Sequence, residues 1–305
     1  MNQSELQETL QRWCQEDFNG SDEIAEVKRD MEFLAQELYH EYDVTKHGGH
    51  GDFKSRLAKW IGSADNEEDQ RNLFLMLRHL IFFGSNELAS AYRTAYSKHV
   101  LNWLIRTAKL DVFSPNAENE INSLVSQTAF TQPTDSFGLR SFLTANNIQG
   151  QRVRYTWLEH ENGWDSDPSR EKANIESQVL RLGNVDEKRF LVLFEDFVGS
   201  GSQIRKFIPH ACRLGQNVKV LLCPLYICPT GAQEARGFEK HFDCLSFSPV
   251  LEIPDRNFLA EKPKPDEHPD FKKLRKTVAT VHNKVVPPLG AKQNYGPFGF
   301  GTSGP

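Results

Sequence analysis

The chain has 305 residues, 38% of them hydrophobic and 25% charged, the balance of a globular protein with room for two domains or one large one. A net charge of −5 gives no support for indiscriminate binding to phosphate backbones, so there is no direct nucleic-acid signal. No apolar run approaches a membrane span, the start MNQSELQETLQRW has neither the basic residues nor the apolar core of a signal peptide, and Cys14, Cys212, Cys223, Cys228 and Cys244 lack paired metal-ligand spacing. The expectation is a cytoplasmic protein with reduced thiols and no membrane contact.

The first part of the chain reads as helical. Ile24, Val27, Met31, Leu34 and Leu38 step by three and four, which predicts a helix over 21–42 capped by Ser21 or Asp22. The string Lys46-His47-Gly48-Gly49-His50-Gly51 breaks it; its two histidines lack the helical spacing of a metalloprotease motif and read as loop. Further helices are predicted over 53–61, 73–83 and 86–110, the last with Leu88, Tyr92, Tyr96, Val100, Trp103 and Leu104 as a core-facing stripe. Residues 1–115 thus form an all-helical region, a cap or docking module ahead of an α/β domain over 116–305.

Residues 128–142 combine an extended piece, a loop and a short helix. Their Thr134-Asp135-Ser136 cluster reads as a cap for that helix. Val153, Tyr155 and Trp157 alternate as in a strand, and Asp167-Pro168 opens a helix that stops at Gly183. Phe190-Leu191-Val192-Leu193-Phe194 is a continuous apolar run, the pattern of a parallel strand buried on both faces. Glu195 and Asp196 follow where that strand would end, then the small-residue loop Gly199-Ser200-Gly201-Ser202 with Gln203, then a helix bearing Ile204, Phe207, Ile208, Ala211 and Cys212. Residues 217–227 supply a second buried strand, 231–242 a helix, 247–253 a strand and 270–284 a last helix before a Gly/Pro/aromatic tail. Alternating helices and strands imply a parallel sheet.

Unpaired N–H groups of a Gly/Ser loop at a helix N-terminus make a phosphate cradle, to which Ser200, Ser202 and Gln203 can add donors. Two carboxylates beside it would repel phosphate but suit sugar hydroxyls, Mg²⁺ or positive charge on a ribose carbon. The pattern therefore fits a ribose 5-phosphate, and it equally describes an acidic βα turn that holds no ligand. Neither Walker A nor the dinucleotide fingerprint matches, for want of a Gly-Lys-Ser/Thr ending and a third glycine.

The string LVLFEDFVGSGSQ, Leu191 to Gln203, resembles the phosphoribosyl pyrophosphate motif of type I phosphoribosyltransferases. It departs from that motif at Glu195, where Asp is usual, and at Gln203, where Thr is usual. FEDFVGSGSQ is most similar to the phosphoribosyltransferase-like domains of prokaryotic conflict (antiphage) systems, retron-associated ones among them, as are Thr134-Asp135-Ser136-Phe137, Asn146-Asn147-Ile148 and the tail from Tyr295 to Gly301. The resemblance implies a phosphoribosyltransferase-like α/β core after the helical region, with Glu195 and Asp196 holding the ribose hydroxyls as the catalytic pair. It also implies that Gly199, Ser200, Gly201, Ser202 and Gln203 bind the 5-phosphate, and that Thr134, Asp135 and Ser136 line the site. The ligand would be phosphoribosyl pyrophosphate or a nucleotide, with Mg²⁺ as cofactor and a defence-system partner such as a reverse transcriptase or another effector. A non-catalytic nucleotide sensor and a structural interaction protein with a relic site remain the other readings.

Overall fold

The structure, a computed structural model, describes residues 1–17, 22–39, 52–134, 136–149, 189–213, 217–260 and 262–285. In chain order these form α1 (Gln3–Asp17), α2 (Glu23–Glu37), α3 (Phe53–Ile61), α4 (Glu67–Leu75) with a 3₁₀ turn Met76–His79, and α5 (Ser85–Thr94). A π-helical stretch, Ala95–Val100, leads into α6 (Leu101–Ala108), and α7 (Ala117–Ser126) precedes the first strand. The rest comprises β1 (Thr128–Thr131), α8 (Leu139–Ala145), β2 (Phe190–Val198), α9 (Ile204–Ala211), β3 (Lys219–Ile227), α10 (Pro229–His241), β4 (Leu245–Phe247), β5 (Leu251–Glu252) and α11 (Phe271–Val285). The expectations for His47 and His50, Asp135, the strand around Tyr155, the helix after Pro168 and the tail around Tyr295 lie outside the described residues. The fold is α/β, a helical N-terminal region followed by a parallel five-stranded sheet with helices. Among the described residues no helix is long and apolar enough to cross a membrane. All five cysteines are free thiols.

The expected boundary near residue 115 separates helical from mixed sequence. Contacts gather the chain differently, into one unit of residues 1–87 with those from 256 onward and another of Leu88–Asp255. In the first unit, Leu6, Leu10 and Trp13 of α1 join Ile24, Val27 and Met31 of α2, Leu57 and Ile61 of α3, Phe74 of α4 and Val281 of α11 in one core. Helix α1 escapes the sequence reading although Leu6, Leu10 and Trp13 keep helical spacing. Helix α4 starts six residues before the predicted 73, because the Asn66 side chain accepts from the N–H of Asp69 (2.8 Å) and three acids sit in the first turn, where the helix dipole favours them. Helix α3 matches its prediction, with Asp52 accepting from the N–H of Ser55 (2.8 Å). Glu67 is held at a pKa of about 2, first by the Arg12 guanidinium and then by the Trp13 indole.

The second unit is the sheet with its helices. Strand order is β1-β2-β3-β4, with β5 also on β3 and every pair parallel. Leu191 and Leu193 face Ile204, Phe207 and Ile208 of α9 and Ala232 and Ala235 of α10. Phe194 meets Phe130, Phe137 and Phe142, with the Phe137 ring stacked on it at 4.9 Å. Both faces of β2 are therefore covered, which is why its sequence is continuously apolar. The strand predicted over 247–253 is instead two, β4 and β5, broken opposite Pro224. Pro224 accepts from the N–H of Val250 (2.9 Å) but has no N–H to return, and Pro249 adds a second gap in the ladder.

Helices α5 and α6 and the π-helical stretch between them carry aromatic rings into this unit: Tyr92 and Tyr96 meet Phe142 edge-on, and Trp103 meets Phe190 at 5.6 Å. We expect a fragment starting at Asn116 to lose cooperative thermal unfolding and to aggregate, whereas one spanning 88–255 keeps a single transition. Near-ultraviolet dichroism on both fragments is the check, and equal melting of the two would refute this division.

Candidate functional site

The site stands at the carboxyl ends of the parallel strands, where ligands of open α/β sheets bind. Strand β2 does not stop at its apolar run. Phe197 and Val198 still pair with Tyr226 and Ile227 of β3, so Glu195 and Asp196 are strand residues, three and two positions before its end. No Cα pair joins Asp196 to β3, so the ladder is interrupted at that carboxylate.

The loop between β1 and α8 crosses to β2 and reaches both acids. Glu195 is only 2% exposed, and the Thr134 hydroxyl donates to its Oε2 at 2.6 Å. The Ser136 hydroxyl donates to Asp196 Oδ1 at 2.7 Å, an oxygen that also accepts from the N–H of Phe197 (2.7 Å). The Thr134 and Ser136 hydroxyls are 2.7 Å apart, so a chain of short oxygen contacts links the two carboxylates.

Thr134 and Ser136 do not cap α8. Gly138 stands at the cap position of α8 without a side-chain bond, and the Gln132 carbonyl oxygen Oε1 accepts from the N–H of Leu139 (3.1 Å) instead. Phe137, buried at 1%, pins the loop onto Phe194. Asn146 ends α8 by donating to the Phe142 carbonyl (2.9 Å) and to the Tyr92 carbonyl (3.1 Å), and Asn147 takes a left-handed φ of 52°. Asp135 lies outside the described residues. The sequence reading missed Gln132, which carries no local signal, while Tyr92, expected in the core, is there and also packs on Phe137 of this loop. Tyr92 is buried, and burial raises its pKa; a backbone bond with Gly138 works against that rise and the Asp196 charge adds to it.

The Gly/Ser loop runs from the end of β2 into α9. Gln203 occupies the cap position with no side-chain cap bond, and the N–H of Ser202 donates to Ser200 Oγ at 3.3 Å. Gly201 has a φ of 84°, a left-handed conformation that side chains resist. A Cβ there would lie 3.1 Å from Glu234 Cβ, so this glycine is required by α10 as well as by its own backbone. Gly231, in the first turn of α10, is as constrained, since a Cβ on it would meet the Gly199 carbonyl oxygen at 2.6 Å. The loop thus rests on α10, where Arg205 also pairs with Glu234 (2.9 Å).

The chain matches the PRTase-CE family over residues 57–304. The protein belongs to the PRTase-CE family. Its α/β unit is accordingly a phosphoribosyltransferase-type domain. The match takes in the β1–α8 loop, the acidic pair and the Gly/Ser loop. No curated protein and no solved structure matches the chain.

Two outcomes follow for the PRTase-CE domain. Thr134→Val keeps the shape but removes the hydroxyl bonded to a buried carboxyl group, and we expect it to cost roughly 1–3 kcal/mol, read as a lower urea midpoint at unchanged slope, while Thr134→Ser stays near the parent. Gly201→Ala should cost about 1–2 kcal/mol through its left-handed backbone. Parent-like unfolding of Gly201→Ala would contradict that conformation.

Proposed function

We propose that this PRTase-CE chain binds the ribose 5-phosphate moiety of phosphoribosyl pyrophosphate or of a nucleotide, and makes or breaks the bond at its anomeric carbon. The observation that carries the reading is Asp196, a partly exposed carboxylate held on one oxygen by Ser136 and Phe197, three residues ahead of a Gly/Ser loop that opens a helix. In this reading the backbone N–H groups of residues 199–203, with Ser200 and Ser202, take the 5-phosphate. Asp196 accepts from ribose hydroxyls. Glu195, buried beneath Thr134, holds Asp196 in place through the hydroxyl chain, and the two carboxylates lower the energy of positive charge growing at the anomeric carbon.

A Mg²⁺ ion fits this donor set. Among the described residues nothing is bonded to Asp196 Oδ2, and a carboxylate oxygen with phosphate oxygens and water is the environment that ion prefers. When bound, it would offset pyrophosphate charge. A role in antiviral defence alongside a partner protein belongs to the same proposal, supported by the likeness of FEDFVGSGSQ to conflict-system domains. Binding without turnover is the second reading, favoured by Glu195 and Gln203 standing where the motif has Asp and Thr.

The test is incubation with phosphoribosyl pyrophosphate and with nucleotides, with and without Mg²⁺, following release of pyrophosphate or free base. We expect Mg²⁺-dependent release that Asp196→Asn lowers by about 10²-fold or more, the scale of losing one preorganised electrostatic group. Calorimetric binding without release identifies the sensor. Neither binding nor release sinks both readings.

A further inference from the structure

The residues that the acidic pair and its loop leave unexplained include a cluster in the other unit. His79 ends the 3₁₀ turn after α4, and His268 and Asp270 stand directly before α11. His79 Nε2 lies 3.4 Å from Asp270 Oδ2, and His268 Nδ1 lies 3.3 Å from the same oxygen. The three donor atoms are all within 4.8 Å of one another. These separations are long for charge-assisted hydrogen bonds, which run about 2.7–2.9 Å. They match the roughly 3.3–3.4 Å that separates ligands around a tetrahedral ion with bonds of about 2.0–2.1 Å.

We propose that His79, His268 and Asp270 form a binding site for a divalent transition ion of the Zn²⁺ class, with its remaining coordination position open to the adjoining cavity. Two imidazole nitrogens and one carboxylate oxygen suit that class, whereas Mg²⁺ takes oxygen donors. The site is thus chemically separate from the acidic pair and does not depend on the phosphoribosyl reading. Two of its ligands are held by packing and by a restricted backbone. The His79 ring packs edge-on against Phe271 at 4.9 Å and against His268 at 4.6 Å, while Pro269 restricts the backbone between His268 and Asp270. The cavity, about 450 Å³, adds Asp266 and Arg256 to its walls. Arg256, in the same wall, suits an anion occupying the open position. The ligands are 191 positions apart in sequence, so an ion here would cross-link the two chain segments from which this unit is built.

The experiment is a titration of metal-stripped full-length protein with Zn²⁺ against a chromophoric chelator, repeated with Mg²⁺, together with melting curves. Substitution by Co²⁺ separates nitrogen and oxygen ligation from thiolate ligation by the five cysteines, since only thiolates give strong near-ultraviolet charge-transfer bands. We expect one equivalent of Zn²⁺, a raised melting temperature and no thiolate band. Each of His79→Ala, His268→Ala and Asp270→Asn should weaken Zn²⁺ by more than the roughly 10–100-fold that losing an outer-shell partner costs. The His268 side chain is half exposed, so His268→Ala reports on the ion even if His79→Ala fails to fold. Absence of Zn²⁺ binding by the parent, unchanged affinity in His268→Ala, or a thiolate band overturns the proposal.

Discussion

A carboxyl group 2% exposed in the middle strand of a parallel sheet is tolerable only if something donates to it, and much of the sheet unit follows from meeting that need at Glu195. The Thr134 hydroxyl must lie over β2, which fixes the path of the loop from β1 to α8. That path brings Ser136 to Asp196 and buries Phe137 on Phe194. The apolar stack and the polar chain hold each other in register. Thr134 is placed by its neighbour's ring, and the ring stays because its own loop is tied down at both carboxylates.

The second support comes from α10. Its first turn carries Gly231 against the Gly199 carbonyl, and Glu234 lies where a side chain at Gly201 would go. The Gly/Ser loop therefore has a floor. Gly201 is explained by close approach to a helix and by its left-handed backbone, whatever the loop binds on its open side. The same helix contributes Ala232 and Ala235 to the core that also seats α9, so the loop is anchored through both the helix it enters and the helix it rests on.

What the sequence displayed was local. The apolar run of β2 and the stripe from α5 to α6 follow spacings that one element generates by itself, and they were legible. The acidic pair and the Gly/Ser loop were legible as a contiguous string. The bond from Thr134 to Glu195 spans 61 positions, and nothing in either neighbourhood announces it. Ser136 had two physically sound uses, cap or site, and only tertiary structure places the competing Gln132 side chain at the N–H of Leu139. The break between β4 and β5 has one cause inside the segment, Pro249, and one in the neighbouring strand, Pro224, which periodicity along 247–253 cannot contain.

The discontinuous helical unit has a consequence for how the chain is made. Residues leave the ribosome from the N-terminus, and domains generally fold as units while they do. Residues 88–255 are complete before α11 exists, although α1 to α4 precede them. Until α11 emerges, the core around Trp13 and Phe74 lacks Val281, and Asp69 lacks the Thr277 hydroxyl that donates to it at 2.6 Å. Residues 1–87 are thus made before residues 88–255 yet reach their final packing after them.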